Sequence, residues 1–142
     1  MWLGACSGPP QALVVKQFIL RDQVRNPNDE PMVNMEKEHH LRGAVSMEER
    51  RQRLGQYYTI LWRDPASAGH EPVEVVFQYQ QGETASLVKH MTKKFPAEDS
   101  AGTAEFAVIG DNFFKGGKVL TWKATLRRGD RELASRQSYL WR

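Results

Sequence analysis

A single cysteine, Cys6, stands in the 142 residues, so no disulfide can form within the chain. No stretch approaches the roughly 18–20 consecutive apolar residues of a membrane-spanning helix. Histidine is scarce: His39, His40, His70 and His90. None falls in an HxH, HExxH or Cys/His spacing, so no metal site is expected. No G-x-S-x-G elbow occurs, and Gly110 to Gly117 matches neither a P-loop nor G-x-G-x-x-G. Asp64 and His70 flank one loop without a serine placed as their nucleophile. The carboxylate pairs Asp29-Glu30 and Glu98-Asp99 sit in loops with no apolar setting to raise a pKa. These absences argue against an enzyme and against a bound cofactor.

What is present suits one globular domain. Hydrophobic content is 40% and charged content 26%, both ordinary. The net charge of +3 is unevenly placed. From Lys115 to Arg142 eight Lys/Arg face only Asp130 and Glu132, which is +6, so the remainder sums to −3. A basic hairpin can attract an anionic partner, although a solvated strand face accounts for the same pattern.

Alternation predicts seven strands. Ala12 to Arg21 is rich in β-formers and apolar on both faces, as for a strand covered on both sides. Gln56 to Arg63 presents Tyr58, Ile60 and Trp62 to one face. Val73 to Gln81 turns Val73, Val75, Phe77 and Tyr79 inward. Ala85 to Phe95 mixes Leu87, Met91 and Phe95 with Lys89 and Lys93, which marks an edge. Thr103 to Ile109 is a short alternating run. Lys118 to Arg127 offers Leu120, Trp122, Ala124 and Leu126 to the core. Arg131 to Trp141 offers Leu133, Tyr139 and Trp141. A two-residue turn at Gly129-Asp130 sets Leu126 opposite Leu133, Arg127 opposite Glu132, Leu120 opposite Tyr139 and Lys123 opposite Arg136.

Ser46-Met47-Glu48-Glu49 is a capping box and Gly55 a stop, which predicts one short helix over residues 47–54, with Glu49 and Arg53 paired. Asp22 to Arg42 is turn-rich and aperiodic, which predicts a long loop holding at most one helical turn. The expected architecture is a mainly β, single antiparallel β-sandwich over residues 12–142. Over Gln56 to Trp141 the arrangement resembles immunoglobulin-like and fibronectin-III-like domains. Without two cysteines, the disulfide-bonded antibody subgroup is excluded.

Residues 1–11 read as a tether. Leu3-Gly4-Ala5-Cys6 resembles the lipobox of bacterial lipoproteins, in which two small residues precede the cysteine that takes the lipid. Ser7-Gly8-Pro9-Pro10 continues as a polar, non-helical spacer. A secretion signal needs a charged start and an apolar run of about 7–15 residues, so this resemblance requires such a segment upstream of Met1. It implies a non-enzymatic envelope lipoprotein, held to the membrane by a lipid on Cys6, facing periplasm or exterior. Its role would be structural or the binding of an envelope protein or glycan. The binding candidates are Phe113, Phe114 and Lys115 in a glycine-flanked loop, with Lys123, Arg127 and Arg136 on the outward basic face. The alternative is a soluble carbohydrate- or peptide-binding module using the Phe113-Phe114 loop, although capping of the core by these rings explains them equally. Nucleic acid is not an expected partner, because Trp122 and Tyr139 are assigned to the core face rather than to a stacking surface.

Overall fold

The computed structural model describes residues 12–22, 26–84 and 86–141. Seven strands form two antiparallel sheets packed face to face. The first sheet orders β1 (Leu13–Leu20), β2 (Gly55–Arg63) and β5 (Ala101–Ile109). The second orders β4 (Lys89–Phe95), β3 (Val73–Gln81), β6 (Val119–Arg128) and β7 (Arg131–Gln137). All seven overlap the segments that alternation marks; β2, β3, β5 and β6 bury mainly one face, where a period of two has one solution, whereas β4 and β7 are shorter than read and hold no fully buried residue. Val73, Val75, Phe77 and Tyr79 of β3 are buried, against Tyr58, Ile60 and Trp62 of β2. Phe77 is central: its ring lies 4.6 Å from Tyr58 and 5.4 Å from Phe106.

Both ends of the sandwich can be named from the strands. The near end holds the start of β1 and β6's exit at Arg128; the far end holds the start of β2 at Gly55 and of β6 at Val119. The sheets are joined at each. At the far end buried Gln56 of β2 accepts the Val119 N–H of β6 at 2.7 Å and donates to Tyr58 Oη at 3.3 Å. At the near end Arg128, 1% exposed, spends its whole guanidinium on protein acceptors. Its Nε donates to Asp64 Oδ2 at 2.8 Å. Its terminal nitrogens donate to the carbonyls of Glu71, Ala97, Asp99 and Asp64 at 2.8, 2.8, 2.9 and 3.5 Å. One side chain therefore ties the β2–β3 and β4–β5 connections to β6. Gly129 follows at φ +61°, left-handed backbone that residues with a side chain rarely adopt.

The helical content departs from the sequence reading. Instead of one short helix the described residues form three α-helices: α1 (Pro31–Leu41), α2 (Met47–Arg51) and α3 (Asp111–Gly116). Helix α1 occupies what reads as a long loop. Pro31 starts it at the position proline favours. It shows no apolar stripe because the residues it buries are Asn34 and Lys37, while Met32 and Met35 face solvent. Polar contacts hold it instead. Lys37 Nζ lies 2.7 Å from Asp29 and 3.7 Å from Asp22, and Asn34 Nδ2 donates to the Asn26 carbonyl at 3.0 Å. Helix α2 keeps its expected cap, with the Glu49 N–H on Ser46 Oγ at 3.1 Å, but ends at Arg51. Arg53 does not pair with Glu49 in the way expected of a continuing helix; its Nη1 donates to the carbonyls of His40 and Arg42.

Two register shifts correct the hairpin. Gln80 pairs Thr121 and Gln81 pairs Val119, so Leu120 is an extra residue and points outward, 54% exposed. Arg127 pairs Glu132 as expected, but Leu126 pairs Ala134, so Leu133 is a second extra residue. Lys123 then faces Gln137, and the expected Lys123–Arg136 clash does not arise. Strand β7 ends at Gln137, and Ser138 caps it by accepting the Trp122 N–H at 2.9 Å. Tyr139, expected in the core, is 99% exposed. Strand β4 is an edge as read, but begins at Lys89, leaving Leu87 exposed.

Truncating Arg128 leaves Asp64 and four carbonyls without their buried donor. Arg128→Ala is expected to cost about 3–5 kcal/mol in urea unfolding. Arg128→Lys recovers little of it, since one ammonium cannot reach acceptors spread around a planar fork.

Candidate functional site

The Phe113-Phe114 segment, read as a loop, is helix α3, and it is fixed from several sides. Buried Gln81 donates to the carbonyls of Asn112 at 3.0 Å and Gly117 at 2.9 Å, and accepts from Lys89 Nζ at 2.6 Å. Gly116 is required there, because a Cβ would stand 2.6 Å from the Gln81 amide. From the α2 side, Gln52 accepts the Asp111 N–H at 3.1 Å and donates to Asp111 Oδ1 at 3.3 Å. Arg51 reaches across so that its guanidinium carbon lies 4.2 Å from the Phe114 ring centre, a cation–π contact. Phe113 meets Phe114 edge-on at 5.7 Å, with an interplanar angle of 73°. The two rings thus offer no coplanar platform for a sugar. Lys115 is exposed on the same helix.

The other named residues do not share this surface. Lys123 and Arg127 lie on the outer face of the four-stranded sheet. Arg127 stands in a row of alternating charge, Lys94, Glu74, Arg127, Glu132, one residue from each strand, with Lys94 and Glu74 3.8 Å apart. That alternation offsets the +6 of the segment locally. Arg136 pairs with Ala124 and so belongs to the inward side of β7, at its seam with β1. The outward basic face expected from Lys123, Arg127 and Arg136 is therefore divided: the bulge at Leu133 moves Arg136 to the opposite parity. Cys6 lies outside the described residues. Among the described residues no three His, Cys, Asp or Glu side chains come together in a metal-binding group.

What the far end does share is exposed apolar surface. Leu87 and Val88 precede β4, Phe114 sits on α3 and Leu120 on the bulge, and all four are exposed. Val45 and Met47, on the segment that leads to Arg51, are exposed as well, and so are Tyr139 and Leu140 after the Ser138 cap on Trp122. The near end differs. Among the described residues, its connections at 64–72, 96–100 and 129–130 expose no large hydrophobic side chain. A cleft of about 740 Å³ there is bounded by Ser67, His70, Glu71, Asp130 and Arg131, with Arg131 donating to Ser67 Oγ at 2.7 Å. Its charges are mixed, and Arg128 beneath it has no donor left to offer. The apolar end was hidden in the sequence because Leu120 shares the parity of Trp122, Ala124 and Leu126; only the bulge separates them.

A second group was also missed. His40 of α1 stacks 3.7 Å from the Tyr57 ring and 5.2 Å from Phe18, on the outer face of the three-stranded sheet. A cleft of about 390 Å³ beside it is bounded by Lys16, Glu36, His39, Thr59 and Glu105. Burial holds the imidazole below its usual pKa, helped by His39 and opposed by Glu36, whose carboxylate is 3.4 Å away. Burial likewise pushes the Tyr57 phenol up to about 12, and its hydroxyl donates to the Arg53 carbonyl. The signal was available as His40 following a helical reading of Pro31–Leu41, but no apolar stripe announced that helix.

No family model, curated protein or solved structure matches the chain.

Because the folded state lowers the His40 pKa below 6.5, the unfolded chain takes up the proton first on acidification. His40 therefore contributes full stability above about pH 6.5, lost as pH falls through the lowered value. Thermal unfolding across pH 7.5 to 5 should show Tm falling on the acid side, and His40→Phe should flatten that slope. An unchanged slope in the variant would assign the acid loss to other groups.

Proposed function

We propose that this chain is a non-enzymatic, membrane-tethered β-sandwich of the bacterial cell envelope that binds a partner protein through its far end. The observation that carries the reading is where exposed apolar side chains fall: Leu87, Val88, Phe114 and Leu120 lie on elements at the far end, and among the described residues the near-end connections 64–72, 96–100 and 129–130 expose no large one. Monomeric surfaces rarely keep large apolar patches without an occupant. The patch is also held rigid, through Gln81 and Gln52 behind α3, so little order remains to be imposed on binding.

The lipobox-like Leu3-Gly4-Ala5-Cys6 supports the tether, and the tether's exit point agrees with it. Strand β1 begins at Leu13 at the near, polar end. From Cys6 to Leu13 the chain can span about 25 Å at full extension. Nine residues of β2 measure roughly 30 Å. A lipid on Cys6 would therefore attach at the near end, with the far end about one strand length beyond the attachment point. The strand order supports an immunoglobulin-like assignment: β1, β2 and β5 share one sheet and β3, β6 and β7 the other, as in constant-type domains, with the fourth strand moved to pair with β3.

The reading makes two separable statements. Mass spectrometry of the native N-terminus should find a diacylated Cys6, and Cys6→Ser should move the protein from the membrane to the soluble fraction; an unmodified cysteine removes the tether. For the far end, Leu87→Asp with Leu120→Asp should leave Tm within a degree or two, since both side chains are exposed. The same variant should lose in-cell photocrosslinks at least ten-fold, while Glu98→Lys at the near end keeps them. Equal loss from both ends would dismiss the far end as the contact surface.

A further inference from the structure

The two sheets are unequal, three strands against four, and the mismatch falls at β4. Residues of β4 paired with the buried side of β3 face inward: Phe95 opposite Val73, Lys93 opposite Val75, Met91 opposite Phe77. Yet Lys93 is exposed and Met91 and Phe95 are only half-buried. The reason lies in the packing. Phe106 of β5 stacks on Phe77 of β3, so β5 covers β3 and β4 projects beyond it. A notch of about 450 Å³ results, walled by Thr103, Ala104 and Glu105 of β5 and floored by Lys93, Lys94 and Phe95 of β4.

The wall of that notch is an unpaired strand edge. Strand β5 pairs with β2 through nine residues without a shift and, among the described residues, has no strand on its other side. The other outer strands are blunted by the usual devices. Strand β4 carries Lys89, Lys93 and Lys94; β7 carries a bulge, Arg131 and Arg136; β1 carries Lys16 at its middle. Strand β5 has no Lys, Arg, Pro or bulge; its one charge, Glu105, has the parity of Thr59 and so belongs to the outer face of its sheet, and Ala101, Gly102, Ala104 and Ala107 allow close approach of another backbone.

We propose that this notch accepts an extended peptide strand, which pairs with β5 and lays alternate apolar and acidic side chains on β4. Main-chain bonds to β5 supply affinity, and the side chains turned onto the floor supply selection. Apolar ones meet Met91 and Phe95; an acidic one meets Lys93, which has no carboxylate beside it on the floor. Lys89, the next inward residue, is already engaged by Gln81 and Asn112, so Lys93 is the cation that selects. A second copy of this chain does not fit, because its own projecting β4 would enter the same space. This surface is separate from the far-end patch and does not depend on it.

The test uses the full chain and a synthetic seven-residue peptide in which threonines alternate with valine, aspartate and valine, compared with its lysine-centred counterpart. In amide NMR titrations to millimolar peptide, the aspartate peptide should shift resonances of Ala101 to Ile109 and of Lys93. The lysine peptide should bind at least ten-fold more weakly. Lys93→Glu, at an exposed position, should reverse the preference with Tm unchanged. Failure of both peptides to perturb β5, shifts confined to β1 or β7, or a preference indifferent to Lys93→Glu would each overturn the proposal.

Discussion

The buried guanidinium of Arg128 is the constraint on which the near end depends. A cation inside a sandwich is tolerable only when its donors are all met and a counter-charge lies beside it. Asp64 supplies the charge, and carbonyls of Glu71, Ala97, Asp99 and Asp64 supply the rest. Those acceptors come from connections that would otherwise be independent loops. Satisfying Arg128 therefore ties these connections together, and among the described residues they expose no large apolar side chain.

The far end is closed differently. Gln56 and Gln81, both buried, use neutral amides to bind strand starts and the backbone of α3. Neutral amides carry no charge to be compensated, so apolar residues can stand directly outside them. Leu87, Phe114 and Leu120 do so. The two ends thus differ in the buried polar group that closes them, a guanidinium at one and two carboxamides at the other.

Between the ends, unequal sheet widths leave work undone on one side. Three strands cannot cover four, and the uncovered part of β4 keeps lysine at a position whose parity is inward. Helix α1 covers the outer face of the smaller sheet on the other side, through His40 against Phe18 and Tyr57. That helix is attached by Lys37, Asn34 and one aromatic stack rather than by an apolar face, which makes its docking sensitive to protonation.

Strand positions, the edge character of β4, the Gly129-Asp130 turn and the Ser46 cap were legible because each rests on local chemistry: a period of two, a lysine-bearing face, a positive φ, a side-chain acceptor three residues from its donor. Arg128 was legible in part, since it shares the inward parity of Ala124 and Leu126, and a cation at such a position demands partners. The partners themselves are carbonyls, which no side-chain pattern records. Helix α1 was invisible because its buried residues are polar. Leu120 and Arg136 were misplaced because a bulge inserts one residue and reverses parity beyond it, whereas Leu133 packs against the core as read and lost only its partner Leu126. By itself the sequence determined which segments hold strands and, between bulges, which face each turns inward, since alternation is a property of the chain. Which side chains face outward at the far end, and which strand edge stays open, only the tertiary structure decided, because both depend on register and on how two unequal sheets overlap.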